Sequence, residues 1–209
     1  GNPLVKKRVE TANRIERVKI LSAQKQSQLL EAANIIAETP DKLDELVKCR
    51  DIVRKDIKLY KRNKEKIPND ERIAFGEELL EALKDNNIVD TERLFSAYQG
   101  FDIILPANML VEKPYIYIKS KHHGIYYNDM TDITTALGYS KSIDYLLDHL
   151  NDRLKNITLD IHNLKKNCEM AKADYEAGNS YDEELQVLYK ELEVIDKEIE
   201  KEKEKNDVA

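Results

Sequence analysis

Apolar positions recur along the chain at two periods, and the change between them marks its organisation. Asn2-Pro3 is a cap residue followed by proline at a first helical position. From there Leu4, Arg8, Thr11, Ile15, Val18 and Ser22 step by four and three, and Leu29, Ala33 and Ile36 continue the stripe. Thr39-Pro40 predicts a break, with Thr39 capping a second helix whose first turn holds Asp41, Asp44 and Glu45. Leu43, Leu46, Arg50, Val53, Ile57 and Tyr60 keep the step, and Ile67-Pro68-Asn69-Asp70 ends it. A short helix follows from Glu71 to about Lys84, with Ala74, Leu79, Leu80 and Leu83 on its apolar side and Asp85-Asn86-Asn87 as its stop.

From Leu94 to Met130 the period falls to two. Phe101, Ile103 and Leu105 alternate, then Ile116 and Ile118, then Ile125 and Tyr127, with turn residues at Pro106-Ala107-Asn108 and Lys121-His122-His123-Gly124 between them. Three strands, or four with Leu94–Tyr98, make an antiparallel meander that needs a helix against one face to be stable. The helical step then returns through Ile143, Leu147, Leu150, Leu154, Ile157, Ile161, Leu164, Cys168, Ala171 and Tyr175, the signature of a coiled-coil seam. Gly178-Asn179 stops it, and Ser180 with Glu183 reads as a capping box opening a last helix with Leu185, Leu188, Leu192, Ile195 and Ile199.

These elements predict a mostly-α α+β chain: long helical hairpins forming an antiparallel coiled coil, with a small antiparallel meander of three to four strands between them. The division expected is a basic N-terminal hairpin over 3–66, a short helix and sheet over 67–139, a coiled-coil hairpin over 140–200 closed by Gly178-Asn179, and a frayed tail over 201–209. The seam alone leaves open whether its helices pair within the chain or make a homodimer.

Composition agrees with long, one-striped helices: 35% of the 209 residues are charged, 41% hydrophobic, and none is Trp. The net charge of −6 is uneven. Residues 1–67 hold 17 Lys and Arg against 10 Asp and Glu, and the acids predominate in the rest. A basic arm suits nucleic-acid contact, while the simpler reading is two solvated helix faces that attract each other. Cys49 and Cys168 form no CxxC pair and point to a reducing, cytoplasmic compartment. No apolar run has the length of a membrane span, and Gly1-Asn2-Pro3 opens no signal peptide. Gly1 reads as a cloning remnant, and the immediate helix start as a piece excised from a larger protein.

Chemistry is not found by motif. There is no GxxxxGK[ST] phosphate cradle and no nucleophile elbow. Asp44-Glu45 and Asp182-Glu183 fall in helix first turns, where carboxylates favour the dipole. His122 and His123 lie in a turn, and no spacing of His149 and His162 suits zinc. The expectation is a chain with no catalytic residue, cofactor or metal of its own.

Two groups of residues are candidates for nucleic acid. Lys55, Lys58, Lys61 and Arg62 crowd one helix end, a placement the helix dipole alone would also explain. Tyr115, Tyr117 and Lys119 share the sheet face opposite Ile116 and Ile118, and Tyr126 and Asn128 are expected to extend it. Aromatics with cations on a sheet suit stacking of single strands. The plainer reading is that tyrosine is a good strand former and a helix covers this face too.

Several short motifs occur in order: Asn2-Pro3-Leu4-Val5-Lys6-Lys7, Lys19-Ile20-Leu21, Ser27-Gln28, Arg72-Ile73-Ala74-Phe75-Gly76-Glu77-Glu78-Leu79-Leu80 and Tyr98-Gln99-Gly100-Phe101, then a tyrosine-rich hairpin and a heptad helix. This succession resembles the C-terminal region, downstream of the helicase core, of the large helicase–DNA methyltransferase proteins of conjugative transposons and related bacterial mobile elements. The resemblance implies a bacterial parent protein that works on DNA with ATP and S-adenosylmethionine. It carries over no catalytic or binding residue, because nothing here matches a helicase motif or an Asn-Pro-Pro-Tyr type of motif. The function expected is a non-catalytic accessory or scaffold module that holds a partner or assists nucleic-acid engagement; the alternative is a structural coiled-coil oligomerisation protein with no DNA contact.

Overall fold

A computed structural model describes residues 2–85, 91–110 and 112–208. Gly1, Ala209 and the expected helix stop at Asn86-Asn87 lie outside the described residues. Among the described residues, five helices and four strands follow in the order α1 (Pro3–Asn63), α2 (Asn69–Asp85), β1 (Arg93–Tyr98), β2 (Phe101–Leu105), β3 (Tyr115–Lys119), β4 (Ile125–Asp129), α3 (Ala136–Asp148), α4 (Leu150–Ala177) and α5 (Ser180–Val208). The chain is mostly helical with one small antiparallel sheet, as its pattern predicts. It divides into two compact units: residues 1–42 with 164–209, and residues 43–163.

Three expectations about the helices are corrected. Pro40 lies inside α1, so residues 3–63 form one helix and not a hairpin. Thr39 does not cap a new helix; its hydroxyl donates back to the Ile35 carbonyl at 2.5 Å, and the residue is buried. This i−4 back-bond keeps Thr39 helical and lets the turn accommodate the proline. The seam from Ile143 to Tyr175 is divided between α3 and α4. His149 sits between them with φ −104° and ψ 17°, its N–H bonded to the Tyr145 and Leu146 carbonyls, and this cap ends α3. The tail does not fray at residue 201, since α5 runs to Val208.

In the first unit, α5 pairs with α1. Asn2 bonds Glu202, Arg8 meets Asp196 at 2.6 Å, and Ser22 donates to Asp182 at 2.7 Å. Each step up α1 is matched by an equal step down α5, so the pair is antiparallel. Its apolar seam is Ile15, Val18 and Leu188, flanked by Tyr181, Leu185 and Leu192. Among the described residues, the side-chain bonds and apolar seam of α5 are formed with α1, where the hairpin reading expected α4 across Gly178-Asn179. Asn179 also donates to the Ser22 carbonyl, which fastens that junction to α1. Arg8–Asp196 and Arg14–Glu184 join basic α1 to acidic α5, as two mutually attracting helix faces would. Exposed pairs of this kind contribute little energy and serve to fix register.

In the second unit the sheet is a meander in the order β1-β2-β3-β4. β1 and β2 are joined by Gln99-Gly100, both at positive φ (52° and 87°), the backbone of a tight hairpin turn that glycine makes inexpensive. Ile103, Leu105, Ile116 and Ile118 face a core shared with Val53 and Tyr60 of α1, Leu79 and Leu83 of α2, and Ile143 and Leu147 of α3. Three tyrosine hydroxyls fasten this core through carboxylates. Tyr126 of β4 donates to Asp56 of α1 at 2.5 Å, Tyr98 of β1 to Asp144 of α3 at 2.6 Å, and Tyr60 of α1 to Asp148 of α3 at 2.9 Å. Arg72 of α2 and Lys64 supply the charge-assisted partners of Asp144 and Asp148. α2 and α3 approach so closely at Gly76 that a Cβ there would stand 1.8 Å from the Ala136 carbonyl oxygen.

Two outcomes follow from this packing. Gly76→Ala meets backbone that cannot yield, so urea unfolding should show a loss of about 3 kcal/mol, the upper end of ordinary overpacking costs. Tyr60, Tyr98 and Tyr126 each have a phenol pKa pushed well above its ordinary value, by burial first and then by the hydroxyl's bond to a carboxylate. A raised folded-state pKa contributes stability that is complete below the unfolded value, about 10, and is lost as pH rises beyond it. Circular dichroism against pH should therefore show unfolding set in above about pH 10, later in Tyr98→Phe than its neutral-pH stability would suggest.

Candidate functional site

The register between β3 and β4 decides which tyrosines meet. Tyr115 pairs with Asp129, Tyr117 with Tyr127, and Lys119 with Ile125, so these side chains share one face. Ile116 pairs with Asn128 and Ile118 with Tyr126, which puts Tyr126 and Asn128 on the isoleucine face. The expectation that Tyr126 extends the Tyr115 and Tyr117 face is thus corrected. Tyr126 is buried, and its hydroxyl is committed to Asp56. Tyr127, which the sequence reading passed over, takes its place. The rings of Tyr115, Tyr117 and Tyr127 lie 5.1–6.1 Å apart in tilted and edge-on contacts.

No described helix covers this outer face, so the plainer reading of it is also corrected. One directly paired row crosses all four strands: Leu94, Ile104, Tyr117 and Tyr127. Leu94 is 62% exposed and Tyr127 51%. The charges on the face are mixed. Lys119 is paired with Glu92 at 3.4 Å, Asp102 stands opposite Lys119, and Asp129 stands opposite Tyr115. A row of aromatics with its one lysine already neutralised gives a polyanion little attraction.

The lysine group has the opposite character. Val53, Asp56 and Tyr60 turn one side of α1 to the core, and Lys55, Lys58 and Arg62, at spacings of three and four, occupy the other side with Lys61 beside them. All four are exposed, and among the described residues none has a carboxylate within ion-pair distance. Three acids of this region have other partners: Asp56 has Tyr126, Asp148 has Lys64 and Tyr60, and Asp51 has Arg54 at 3.9 Å, while Glu65 is exposed beyond the helix end. Burial opposes ionisation of Asp148, but the Lys64 and Tyr60 donors outweigh it and hold its carboxyl below the ordinary value. The two candidate groups lie on opposite sides of the sheet and do not converge.

Among the described residues, no cluster of three or more His, Cys, Asp or Glu side chains could hold a metal ion, and no helix is long and apolar enough to cross a membrane. No family model, curated protein or solved structure matches the chain. The likeness to the mobile-element proteins rests on the sequence motifs alone.

The two faces of β4 should separate in a pair of conservative variants. Tyr126→Phe strands a buried carboxylate and should cost about 2–3 kcal/mol in chemical denaturation. Tyr127→Phe removes an exposed hydroxyl and should change stability by less than about 0.5 kcal/mol.

Proposed function

We propose that this chain works by binding and not by catalysis, as an accessory module of a mobile-element DNA-processing protein, and that it engages nucleic acid along the outward side of α1. One observation carries the reading: Lys55, Lys58, Lys61 and Arg62 are exposed together, and among the described residues none of them has a carboxylate within ion-pair distance. Cations left in water without partners gain by replacing the counterions of a phosphate backbone, and they need no specially shaped site to do so. Arg8 and Arg14, on the same helix, are instead compensated by α5. The succession of motifs shared with the helicase–methyltransferase proteins supports a DNA context, with the remainder of such a parent as the constant partner.

The alternative is a coiled coil that only oligomerises. The pairing of α5 with α1 weighs against it, because Leu188 and Leu192 already find their apolar partners in the same chain.

Fluorescence titration with single- and double-stranded oligonucleotides at two salt concentrations tests the proposal. Affinity should fall steeply with salt, and Lys58→Ala/Lys61→Ala should flatten the duplex slope by about 0.9 for each phosphate contact removed. Tyr115→Ala/Tyr117→Ala should leave binding unchanged, where stacked rings would lose roughly 1–3 kcal/mol each. Failure to bind either oligonucleotide at low salt would contradict the proposal.

A further inference from the structure

The two edges of the sheet are built differently. β1 carries an irregularity where its register slips between Leu94 and Ser96, and Arg93 reaches across to the Ala82 carbonyl of α2. Bulges of this kind discourage another strand from pairing. β4 has no such device: its five residues are regular and include no proline, glycine or lysine.

The direction of the β4 backbone groups follows from two hydrogen bonds that bracket the ladder. Ser120 N–H donates to the Gly124 carbonyl, and Met130 N–H to the Pro114 carbonyl, both at 2.9 Å. By alternation, Ile118 with Tyr126 and Ile116 with Asn128 are the hydrogen-bonded pairs. The N–H and C=O groups of Ile125, Tyr127 and Asp129 therefore point away from β3, to the open edge. All three residues are exposed, and among the described residues their backbone groups have no other partner.

Beside this edge lies a cleft of about 690 Å³, lined by Ile52 and Val53 of α1, Ile125 and Tyr126 of β4, and Arg153 and Ile157 of α4. Apolar side chains predominate in its lining, and His123, Asn156 and the cationic Arg153 are its polar members. Arg153 sits 5.3 Å from the Tyr126 ring centre and has no carboxylate partner among the described residues.

We propose that the open edge of β4 and this cleft capture an extended, acidic segment of a partner protein by strand addition. Its backbone pairs with Ile125, Tyr127 and Asp129. Alternate side chains enter the cleft over Val53 and Ile157, and an acidic side chain meets Arg153. The surface is separate from the lysine side of α1, so this inference goes beyond the nucleic-acid reading and does not depend on it.

The probe is a random heptapeptide library displayed on phage and panned on the full chain, with enriched peptides then synthesised and added to the ¹⁵N-labelled protein. Enriched peptides should alternate apolar residues and carry an acid. The Ile125, Tyr127 and Asp129 amides, fast-exchanging in the free protein, should become protected on binding. Arg153→Glu should weaken binding by at least about tenfold. Tyr127→Pro removes an N–H that the sheet does not use, and it should abolish binding with the circular dichroism unchanged; if that variant misfolds, Arg153→Glu and the exchange pattern still decide. Three results would overturn the proposal: no enriched peptide, peptides indifferent to both substitutions, or β4 amides already protected through self-association seen by sedimentation.

Discussion

A carboxylate buried against a sheet is costly unless a donor meets it, and the second unit is organised around that requirement. Asp56 and Asp144 are 0% and 8% exposed, and each receives a tyrosine hydroxyl from an edge strand of the sheet. Asp144 also holds Arg72, so one residue of α3 ties together β1 and α2. Tyr60 and Asp148 join α1 to α3 in the same way. These bonds have directions that apolar packing lacks, and they fix which side of α1 faces the core. Once Asp56 is held by Tyr126, Lys55, Lys58 and Arg62 have no choice but solvent.

That orientation is what separates the surfaces of the unit. The cations stand outside α1, on the far side of the core from the tyrosine row. The row itself carries no free cation, since Glu92 takes Lys119, and the two aspartates that border it make the face net negative. Under the proposed reading electrostatics divides the labour, with phosphate assigned to the helix and protein to the unpaired backbone of the β4 edge. In the other unit, acidic α5 neutralises basic α1, and the seam of Ile15, Val18 and Leu188 holds the two in antiparallel register.

The element types were legible in the sequence because the periods are clean. The alternation in Phe101–Leu105 and Tyr115–Lys119 marks strands that the structure contains, and α5 starts at Ser180 where a helix start was expected, although the side chain that caps it is that of Asn179 and not of Ser180. What failed was long-range. Pro40 and Thr39 read as a break by local rules, yet the back-bond to Ile35 carries the helix through. The face of Tyr126 depends on the number of residues in the turn between Lys119 and Ile125, and a one-residue difference in register exchanges the faces of the whole strand. The partner of α5 could not be inferred from the turn before it, because Gly178-Asn179 fits a fold-back as well as an extension. The lysine group was legible by composition, but its freedom from acidic partners appears only when Asp56 is seen to point inward.

Chemical-shift mapping of the labelled chain against a short DNA duplex tests the central claim most directly. The account predicts salt-sensitive shifts confined to the outward side of α1 around Lys55, Lys58, Lys61 and Arg62, with the amides of β3 and β4 unmoved. Shifts centred on Tyr115, Tyr117 and Tyr127, or none anywhere at low salt, would contradict it.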